Sequence, residues 1–459
     1  MYQIDFKKPL AVHFIGIGGI SMSGLAEILL GEGFRISGSD SHETELTDHL
    51  AAGGARIAYG QRAENITDDI ELVVYTAAVH PDNPEYAEVV RRGIPMMSRA
   101  DLLGQIMKNY TESVAISGTH GKTTTTSMVT DILLAAGKDP TISVGGILHS
   151  IGGNIRVGGP ELFVTEACEY TNSFLSFFPT IEVILNIEAD HLDFFKDIDD
   201  IRHSFRLFAE KLPENGLLIM NSDIRDYEQI TDGLSCRVVT VGHGPDSDYS
   251  AADICYDELA RASFTLLAGG EERGRITLNV PGEHNVYNAL AAIAVAEALG
   301  ISGDAIAEGL SHFTGTKRRF EKKGEIGGVT VIDDYAHHPQ EIAATLSAAK
   351  NYPHRKLWCV FQPHTYTRTK AFLDEFAQAL SAADEVILAD IYAARETDTL
   401  GISSRDIAER IEKLGVNAHY FPTFDDIETF ILENCSTGDL LITMGAGDIV
   451  KVGERLLGQ

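Results

Sequence analysis

The sequence predicts an α/β protein in which parallel sheets are covered by helices, and three observations support this. Short apolar runs typical of buried strands alternate with helix-like segments from one end of the chain to the other. Glycine-rich turns connect two of these runs to the helices that follow them. The chain has 459 residues, a length that suits about three domains. We place these domains at residues 1–109, 110–315 and 316–459.

The composition is typical of a globular protein, with 44% hydrophobic and 23% charged residues. A net charge of −30 argues against a nucleic-acid-binding protein, which needs a basic surface. No apolar run reaches the roughly 18 residues that span a bilayer, so we expect no membrane insertion. The five cysteines are scattered without a CxxC pair, which favours a reduced, cytoplasmic protein over a disulfide or zinc framework.

The first domain opens with a predicted strand at Leu10–Ile15, a glycine cluster at 16–24 and a helix through Leu30. Further strands are expected at 34–37 and 72–75, and Asp40 follows the first of these. This is the setting of a dinucleotide-binding turn, although Ser21 stands where the third glycine of that pattern belongs. We therefore expect a Rossmann-like domain that binds a phosphate near a helix N-terminus. A nicotinamide-dependent oxidoreductase, or close packing alone, also fits this one element.

The second glycine-rich turn lies at residues 117–126, between the apolar run 114–116 and a predicted helix at 127–136. Such a loop directs backbone N–H groups and the positive end of a helix dipole at an anion. Lys122 has the reach for the outer phosphates of a nucleotide, and the Thr123 hydroxyl suits Mg²⁺. Ile116 stands where the full P-loop pattern has another glycine. We predict a compact variant of the loop in a P-loop ATPase-like central domain with a mostly parallel sheet.

Acidic residues follow two strands of this central domain. Glu166 comes at the end of the predicted strand 162–165, and the run 186–193, with His191, follows the predicted strand 183–187. At the edge of a parallel sheet these side chains suit one or two Mg²⁺ ions beside the nucleotide phosphates. Helix capping, a salt bridge or turn formation are the alternatives.

Further along, a strand is predicted at 217–220 and a small antiparallel element within 246–280. Asn288 lies one turn into the predicted helix 285–299, where its amide suits an adenine edge or simply the polar first turn of a helix.

The third domain has predicted strands at 329–332, 357–361, 385–388 and 439–443, which indicate a second Rossmann-like sheet. Polar runs follow three of them, at 333–339, 361–368 and 444–448. Ligands of open α/β sheets bind at this strand edge. The neighbouring His337 and His338 are not expected to share a metal, because adjacent residues of a strand face opposite ways.

These runs together resemble the Mur ligases, the ATP-dependent amide-forming enzymes of peptidoglycan synthesis. The resemblance covers nearly the whole chain and rests on His13–Gly24, Ser37–Asp40, Gly118–Thr126, Asn186–Asp193, Gly282–Asn285, Lys317–Glu321, Asp333–Pro339 and Phe361–His364. Several of these runs are similar to the branch that adds L-alanine to UDP-N-acetylmuramate. A related branch joins a recycled tripeptide to the same acceptor and is the alternative. A non-catalytic nucleotide-binding regulator is disfavoured by the intact Lys122, Thr123, Glu166 and His191.

The resemblance implies a role for each candidate residue. It assigns UDP contacts to Gly18, Gly19 and Asp40; ATP contacts to Gly118, Thr119, His120, Gly121, Lys122, Thr123, Thr124, Asn288, Arg319 and Asp334; Mg²⁺ ligation to Thr123, Glu166 and His191; contacts with the amino acid and the muramyl carboxylate to Tyr335, His337 and Arg368; and catalysis to Lys122, Arg319, Asp334, His337 and Arg368. The implied reaction proceeds through an acyl phosphate, and the implied assembly is a monomer or a weak homodimer.

Two departures from the family pattern bear on these expectations. Related ligases often carry a carbamylated lysine about fifteen residues beyond the Asp-His pair, but residues 203–206 contain none. The L-alanine branch is thought to lack it as well. Thr365 stands where that branch often has arginine, which leaves Arg368 as the cation of this loop and makes the mode of carboxylate binding an open question.

Overall fold

A computed structural model describes residues 2–76, 78–244, 246–394 and 396–459. The described chain forms two compact units, one of residues 1–188 and 198–240 and the other of 189–197 and 241–459. The predicted three-domain division stays a prediction. Within the described residues, no helix is both long and apolar enough to cross a bilayer.

The first unit begins with a five-stranded parallel sheet in the order β3-β2-β1-β4-β5. Its strands are β1 (Ala11–Ile15), β2 (Arg35–Asp40), β3 (Arg56–Tyr59), β4 (Leu72–Tyr75) and β5 (Met96–Ser98). Its helices are α1 (Ile20–Gly31), α2 (Glu45–Ala52), α3 (Pro84–Arg92) and α4 (Arg99–Met107). All five residues of β1 are buried, as expected for a strand covered on both faces.

A second sheet of the first unit runs in the order β12-β11-β10-β6-β9-β7-β8. Its strands are β6 (Glu112–Ser117), β7 (Thr141–Leu148), β8 (Gly153–Arg156), β9 (Leu162–Ala167), β10 (Ile181–Ile184), β11 (Leu217–Asn221) and β12 (Arg237–Val241). The helices between these strands are α5 (Lys122–Ala135), which follows β6, α6 (Ile198–Ala209), which follows β10, and α7 (Glu228–Thr231), which follows β11. Strands β11, β10, β6, β9 and β7 are parallel, and β8 is antiparallel to β7.

The second unit contains an antiparallel element and a mixed sheet in the order β16-β17-β21-β18-β19-β20. Its strands are β13 (Tyr249–Tyr256), β14 (Arg261–Ala268), β15 (Glu271–Pro281), β16 (Glu321–Ile326), β17 (Val329–Asp334), β18 (Leu357–Phe361), β19 (Glu385–Leu388), β20 (Asn417–Tyr420) and β21 (Leu440–Met444). Its helices are α8 (His284–Ala298), α9 (Gly303–His312), α10 (Pro339–Lys350), α11 (Tyr366–Ala371), α12 (Leu373–Leu380), α13 (Ser404–Lys413), α14 (Phe424–Asn434) and α15 (Val450–Leu456). Two consecutive residues of β17, Val331 and Ile332, enter separate hydrophobic clusters, which places a core on each face of this sheet.

The predicted α/β class is confirmed, and the antiparallel element lies in the predicted region. Two local predictions were wrong. Helix α5 begins at Lys122 rather than Ser127, because the weak helix propensity of the threonine run concealed its first turn. Strand β10 ends at Ile184, so residues 185–187 of the predicted strand already belong to the loop. His337 and His338 lie beyond the end of β17, in the run predicted to follow that strand, and His338 is the N-cap of α10, so the alternation of side chains along a strand does not apply to them.

Candidate active site

The loop between β6 and α5 is shaped by two glycines with left-handed backbone conformations. Gly118 has φ +137° and Gly121, the N-cap of α5, has φ +84°. A Cβ on Gly118 would lie 3.0 Å from the Cβ of Leu185, so the loop also needs the small residue sterically. The first backbone bond of α5 runs from the Thr125 N–H to the Gly121 carbonyl, and the N–H groups of residues 122–124 precede it. This is the arrangement that attracts an anion to a helix N-terminus.

Asn186, which lies two residues beyond the end of β10, makes hydrogen bonds with the middle of this loop. Its side-chain oxygen accepts the His120 N–H at 2.7 Å and its amide donates to the His120 carbonyl at 3.0 Å. The Asn186 carbonyl also accepts the Thr119 N–H at 3.1 Å. The Thr119 hydroxyl in turn accepts the Glu188 N–H at 3.0 Å. These hydrogen bonds fix the shape of the loop.

The ammonium of Lys122 is enclosed by oxygen acceptors. Its Nζ donates to the carbonyls of Gly118 and Thr119, the latter at 3.1 Å, and to the Glu169 Oε2 at 3.1 Å. Burial disfavours the charged amine, but the neighbouring carboxylates, Glu169 first among them, outweigh this and raise the pKa of Lys122. Lys122 is thus a permanent cation at neutral pH.

Glu166 lies near the end of β9, as its sequence position indicated. One carboxylate oxygen accepts the Gly145 N–H at 2.6 Å, and a Cβ on Gly145 would come within 2.8 Å of the other oxygen. The backbone of β7 therefore packs directly on the carboxylate and fixes its direction. Glu166 is also among the acids that raise the pKa of Lys122, so the two side chains share one electrostatic environment.

The first glycine loop, between β1 and α1, is closed by Asp40 at the end of β2. The Asp40 Oδ2 accepts the Gly18 N–H at 2.8 Å, and the N–H groups of Gly16 and Ile17 donate to the Ser39 carbonyl at 2.9 and 3.0 Å. A Cβ on Gly18 would lie 2.9 Å from the same carboxylate oxygen. Gly19 is the N-cap of α1. The three residues predicted to contact UDP therefore lie together at the carboxyl ends of β1 and β2.

A buried polar network underlies this loop. Glu85, at the start of α3, is fully buried and accepts hydrogen bonds from the Ser39 hydroxyl at 2.6 Å and from the Asn65 amide. The His13 Nε2 lies 3.5 Å from the same carboxylate, and the His13 Nδ1 lies 3.0 Å from the Ser37 hydroxyl. Burial alone would raise the pKa of Glu85, but these partners outweigh it and the pKa is lowered.

In the second unit, Arg368 is fixed by Asp190. The Nε and Nη2 atoms of Arg368 both donate to the Asp190 Oδ1, at 3.2 and 2.9 Å, and Nη1 lies 3.3 Å from the His364 Nδ1. Burial would raise the pKa of Asp190, but Arg368 and the nearby histidines lower it strongly. His191 adjoins this pair with φ +52°, and its N–H donates to the Asp190 Oδ1 at 2.7 Å.

His337 lies at the N-terminal end of α10, beside Tyr335 and Glu341. Its Nδ1 is 2.9 Å from the Tyr335 carbonyl and 3.3 Å from the Glu341 Oε2. Both neighbours are acceptors, so Nδ1 carries the proton of the neutral ring and Nε2 presents a lone pair. Burial lowers the pKa of His337 to about 4, which keeps the ring neutral at physiological pH.

Asp334 ends β17 and holds two backbone N–H groups. Its oxygens accept from Phe320 at 2.8 Å and from Ala336 at 2.7 Å. Burial raises the pKa of Asp334 to about 6, although Arg319 opposes the shift. The Arg319 guanidinium lies 5.3 Å from the centre of the Tyr335 ring and 3.9 Å from the Glu341 carboxylate.

The adjacent Arg318 is a structural residue. It donates to Asp333 at 2.8 Å and to the Gly445 and Gly447 carbonyls at 2.7 and 3.0 Å. These bonds tie residues 318–320 to the carboxyl ends of β17 and β21. Both guanidinium groups lie near the Tyr335 ring, that of Arg318 at 5.0 Å and that of Arg319 at 5.3 Å from its centre.

Asn288 is buried in α8, where its amide donates to the Asn285 side chain at 3.0 Å. Asn285 itself donates to the Pro281 carbonyl at 2.7 Å, so both amides are oriented by the start of the helix.

The predicted residues thus fall into local groups. Loop 118–124 and Glu166 share the first unit with the Gly18, Gly19 and Asp40 group, whereas Arg319, Asp334, Tyr335, His337, Arg368, His191 and Asn288 belong to the second. Placement of Asn288 and His191 beside the nucleotide stays a prediction. The structure adds Glu169, Asn186, Asp190, Glu341 and His364 to the candidate site. Asn186, Asp190 and His364 lie within motifs that the sequence analysis named but were given no individual role, whereas Glu169 and Glu341 lie outside those motifs, and only their contact partners distinguish them.

Comparison with known proteins supplies the family. The Mur ligase middle domain matches residues 116–296, the catalytic domain of the Mur ligase family matches 11–111, and the glutamate ligase domain of Mur ligases matches 318–447. A relative named UDP-N-acetylmuramate–L-alanine ligase, from Lachnospira eligens, is 64% identical over 458 residues and covers 100% of both chains. The chain belongs to the Mur ligase family.

Solved Mur ligase structures agree with this membership. The crystal structure of a UDP-N-acetylmuramate–alanine ligase from Thermotoga maritima is 31% identical, covers 98% of each chain and has a TM-score of 0.80. A murein peptide ligase from Psychrobacter arcticus is 26% identical over 98% of each chain, with a TM-score of 0.70. A Mur ligase does not use a nicotinamide cofactor for its reaction, so the oxidoreductase interpretation of the first glycine loop was wrong.

Proposed function

We propose that this protein is an ATP-dependent ligase that joins L-alanine to the lactyl carboxylate of UDP-N-acetylmuramate, a step of peptidoglycan precursor synthesis. The observation that carries the proposal is the preformed loop 118–124 with its enclosed cation Lys122, in a chain 64% identical over its full length to a relative of that name. Identity of 26% to a murein peptide ligase makes the tripeptide reaction the weaker candidate.

The first step must activate a carboxylate, because its oxygen is a poor leaving group. An oxygen of the lactyl carboxylate attacks the γ-phosphorus of ATP, the bond to the bridging oxygen breaks, and ADP leaves an acyl phosphate behind. Two anions meet in this step, so positive charge must lie where negative charge develops. We assign this role to Lys122, to the N-terminus of α5 and to Arg319.

A divalent cation fits the oxygen donors of the first unit. The Thr123 hydroxyl and the Glu166 carboxylate are ligands that Mg²⁺ prefers, and Glu166 already points in a fixed direction. His191 is proposed as a further ligand. Mg²⁺ would supply additional neutralisation of phosphate charge, while Lys122 and α5 bind and orient the phosphates themselves.

In the second step the amine of L-alanine attacks the acyl carbon and phosphate leaves. The amine must lose a proton, and we assign its acceptance to the Nε2 of His337. Its lone pair is available because Nδ1 faces two acceptors, the Tyr335 carbonyl and Glu341. Asp334 is the weaker candidate because both of its oxygens already accept backbone N–H groups.

The remaining residues bind the two substrates. Arg368, held in place by Asp190, is proposed to bind a carboxylate, with Tyr335 beside the amino acid. Gly18, Gly19 and Asp40 are proposed to contact the UDP part of the acceptor. We further propose ATP contacts from Asn288, Arg319 and Asp334.

The proposed domains are residues 1–109, 110–315 and 316–459, and the proposed location is the cytoplasm. We propose that the protein is a monomer or a weak homodimer, and light scattering at several protein concentrations tests this oligomeric state.

The deciding experiment measures phosphate release from ATP in the presence of Mg²⁺, UDP-N-acetylmuramate and one amine at a time. We expect release and an amide product with L-alanine, and little with the tripeptide L-alanyl-γ-D-glutamyl-diaminopimelate. A preference for the tripeptide would replace the proposal by the alternative. No amine-dependent release with any amine would overturn both.

A further inference from the structure

The Lys122 ammonium is fully engaged by acceptors of the protein itself. Three acceptors surround its three N–H donors: the Gly118 carbonyl, the Thr119 carbonyl and the Glu169 carboxylate. Only 16% of the Lys122 side chain and 3% of the Glu169 side chain are exposed. The charge of the lysine is therefore neutralised inside the protein by a residue that the sequence motif does not include.

Glu169 is held where it can make this contact. It follows β9 by two residues, and the Asn172 N–H donates to its carbonyl at 2.9 Å. The next turn contains Thr171 at φ +53° and Asn172 at φ +57°. Two consecutive non-glycine residues in the left-handed region are costly, and such strain persists where the surrounding structure fixes the backbone.

We propose that Glu169 is a positioning residue that holds the Lys122 ammonium through its carboxylate and competes with the phosphates of a nucleotide for it. The inference rests on the proposed ATP-dependent function. When the phosphates bind, the lysine exchanges the Glu169 carboxylate for a phosphate oxygen, and Glu169 loses its cation partner. Binding of the nucleotide therefore includes the cost of breaking a buried ion pair.

This competition predicts the direction in which a substitution of Glu169 changes the nucleotide affinity. Replacing Glu169 by glutamine keeps the shape and an acceptor oxygen but removes the charge. The free protein loses its ion pair and is destabilised, whereas the bound protein loses a negative charge near the phosphates. Both changes favour the bound state, so nucleotide affinity rises while the stability of the free protein falls.

The experiment titrates ADP into the wild-type protein and Glu169→Gln without Mg²⁺, and follows thermal unfolding of each with and without ADP. We expect the dissociation constant to fall by roughly fivefold or more in the variant. We also expect a lower Tm without ADP and a larger Tm increase on its addition. In turnover, the KM for ATP falls without a rise in kcat. The charge-retaining Glu169→Asp is expected to return the dissociation constant towards the wild-type value.

Glu112→Gln is the matched control. Glu112 lies at the opposite end of β6 from the loop, where its carboxylate accepts a hydrogen bond from the Thr180 hydroxyl. The substitution Glu112→Gln therefore changes the net charge by the same amount as Glu169→Gln but removes no contact of Lys122. We expect its ADP affinity to match the wild type.

Two results would overturn the inference. An unchanged or weaker ADP affinity in a folded Glu169→Gln protein would show that Glu169 does not compete with the phosphates. Weaker binding that appears only with Mg²⁺ would identify Glu169 as a metal ligand instead. Failure of the wild type to bind ADP or turn over ATP would contradict the proposed function itself, which separates the two tests.

Discussion

Two glycine-rich loops of the first unit, at residues 16–19 and 118–121, each connect a buried strand to a helix whose N-cap is glycine. At each loop an acid at or just beyond the end of a neighbouring strand supplies a charge: Asp40 ends β2, and Glu169 lies two residues beyond β9. In the first loop Asp40 accepts the Gly18 N–H directly, whereas in the second loop Glu169 pairs with the Lys122 side chain. We therefore propose that the first loop offers a carboxylate to its ligand, and that the second offers a lysine and a helix N-terminus.

We propose that one backbone arrangement serves two parts of the reaction. A carboxylate at the first loop suits the hydroxyl groups of a ribose, which donate hydrogen bonds. A cation at the second suits phosphates whose charge increases during transfer. The glycines allow the close approach in both loops, while the nearby side chains select the ligand.

The largest expected effect comes from Lys122→Ala, which removes the cation of the second loop. We expect loss of ATP turnover by about a thousandfold or more, because a charge-stabilising donor of the transition state is lost. Phosphate release under saturating substrates measures it. Binding of UDP-N-acetylmuramate at the first loop should be unchanged, and a full turnover rate in the variant would contradict the P-loop assignment.

The next effect concerns the support of the first loop. Glu85→Ala leaves His13, Ser39 and Asn65 without their buried carboxylate partner. We expect about 3 kcal/mol of lost unfolding free energy for the first unit, measured by urea denaturation. Glu88→Gln on the same helix, which breaks an exposed pair with Arg91, is the control and should change stability by less than about 0.5 kcal/mol.

Asp40→Ala tests the ligand preference of the first loop. It removes the acceptor of the Gly18 N–H and the proposed ribose contact, so the KM for UDP-N-acetylmuramate should rise by about tenfold or more. The KM for ATP should stay near the wild-type value. An equal rise in both constants would mean that the two loops do not bind separate ligands.

The smallest expected effect concerns a buried carboxylate on β10, the strand that pairs with β6. Glu182 on β10 is fully buried, and its two oxygens have no hydrogen-bond partner among the described residues, in contrast to Glu85. Burial raises its pKa well above the usual value of 4.5, so the folded protein retains the proton that the unfolded chain releases. Glu182→Met, of similar size, should therefore stabilise the protein at pH 8 by about 1 kcal/mol.

The pH dependence fixes the sign of this last prediction. A raised folded-state pKa contributes stability that is complete below pH 4.5 and is lost as the pH rises towards the folded-state pKa. The stabilising effect of Glu182→Met should accordingly shrink as the pH is lowered from 8 to 5. A pH-independent difference between the two proteins would mean that the carboxylate is not the cause.

The sequence predicted the two loops because their determinants are local. Glycines at turns, an apolar run before each and a helix after each are visible within about fifteen residues. The boundaries of the helices and strands were predicted less accurately. The end of β10 was placed too late because apolar residues continue past the strand, and the start of α5 was placed too late because its first turn consists largely of threonines.

By itself, the sequence determined the α/β class, the order of the motifs and the identity of Lys122 as the cation of the second loop. Only the tertiary structure decided which acids engage these motifs. The Lys122–Glu169, Ser39–Glu85 and Arg368–Asp190 contacts span 47, 46 and 178 residues of sequence. Such pairs form when the tertiary structure brings distant segments of the chain together, and burial and charged neighbours then set their charge states; neither is encoded in a local pattern.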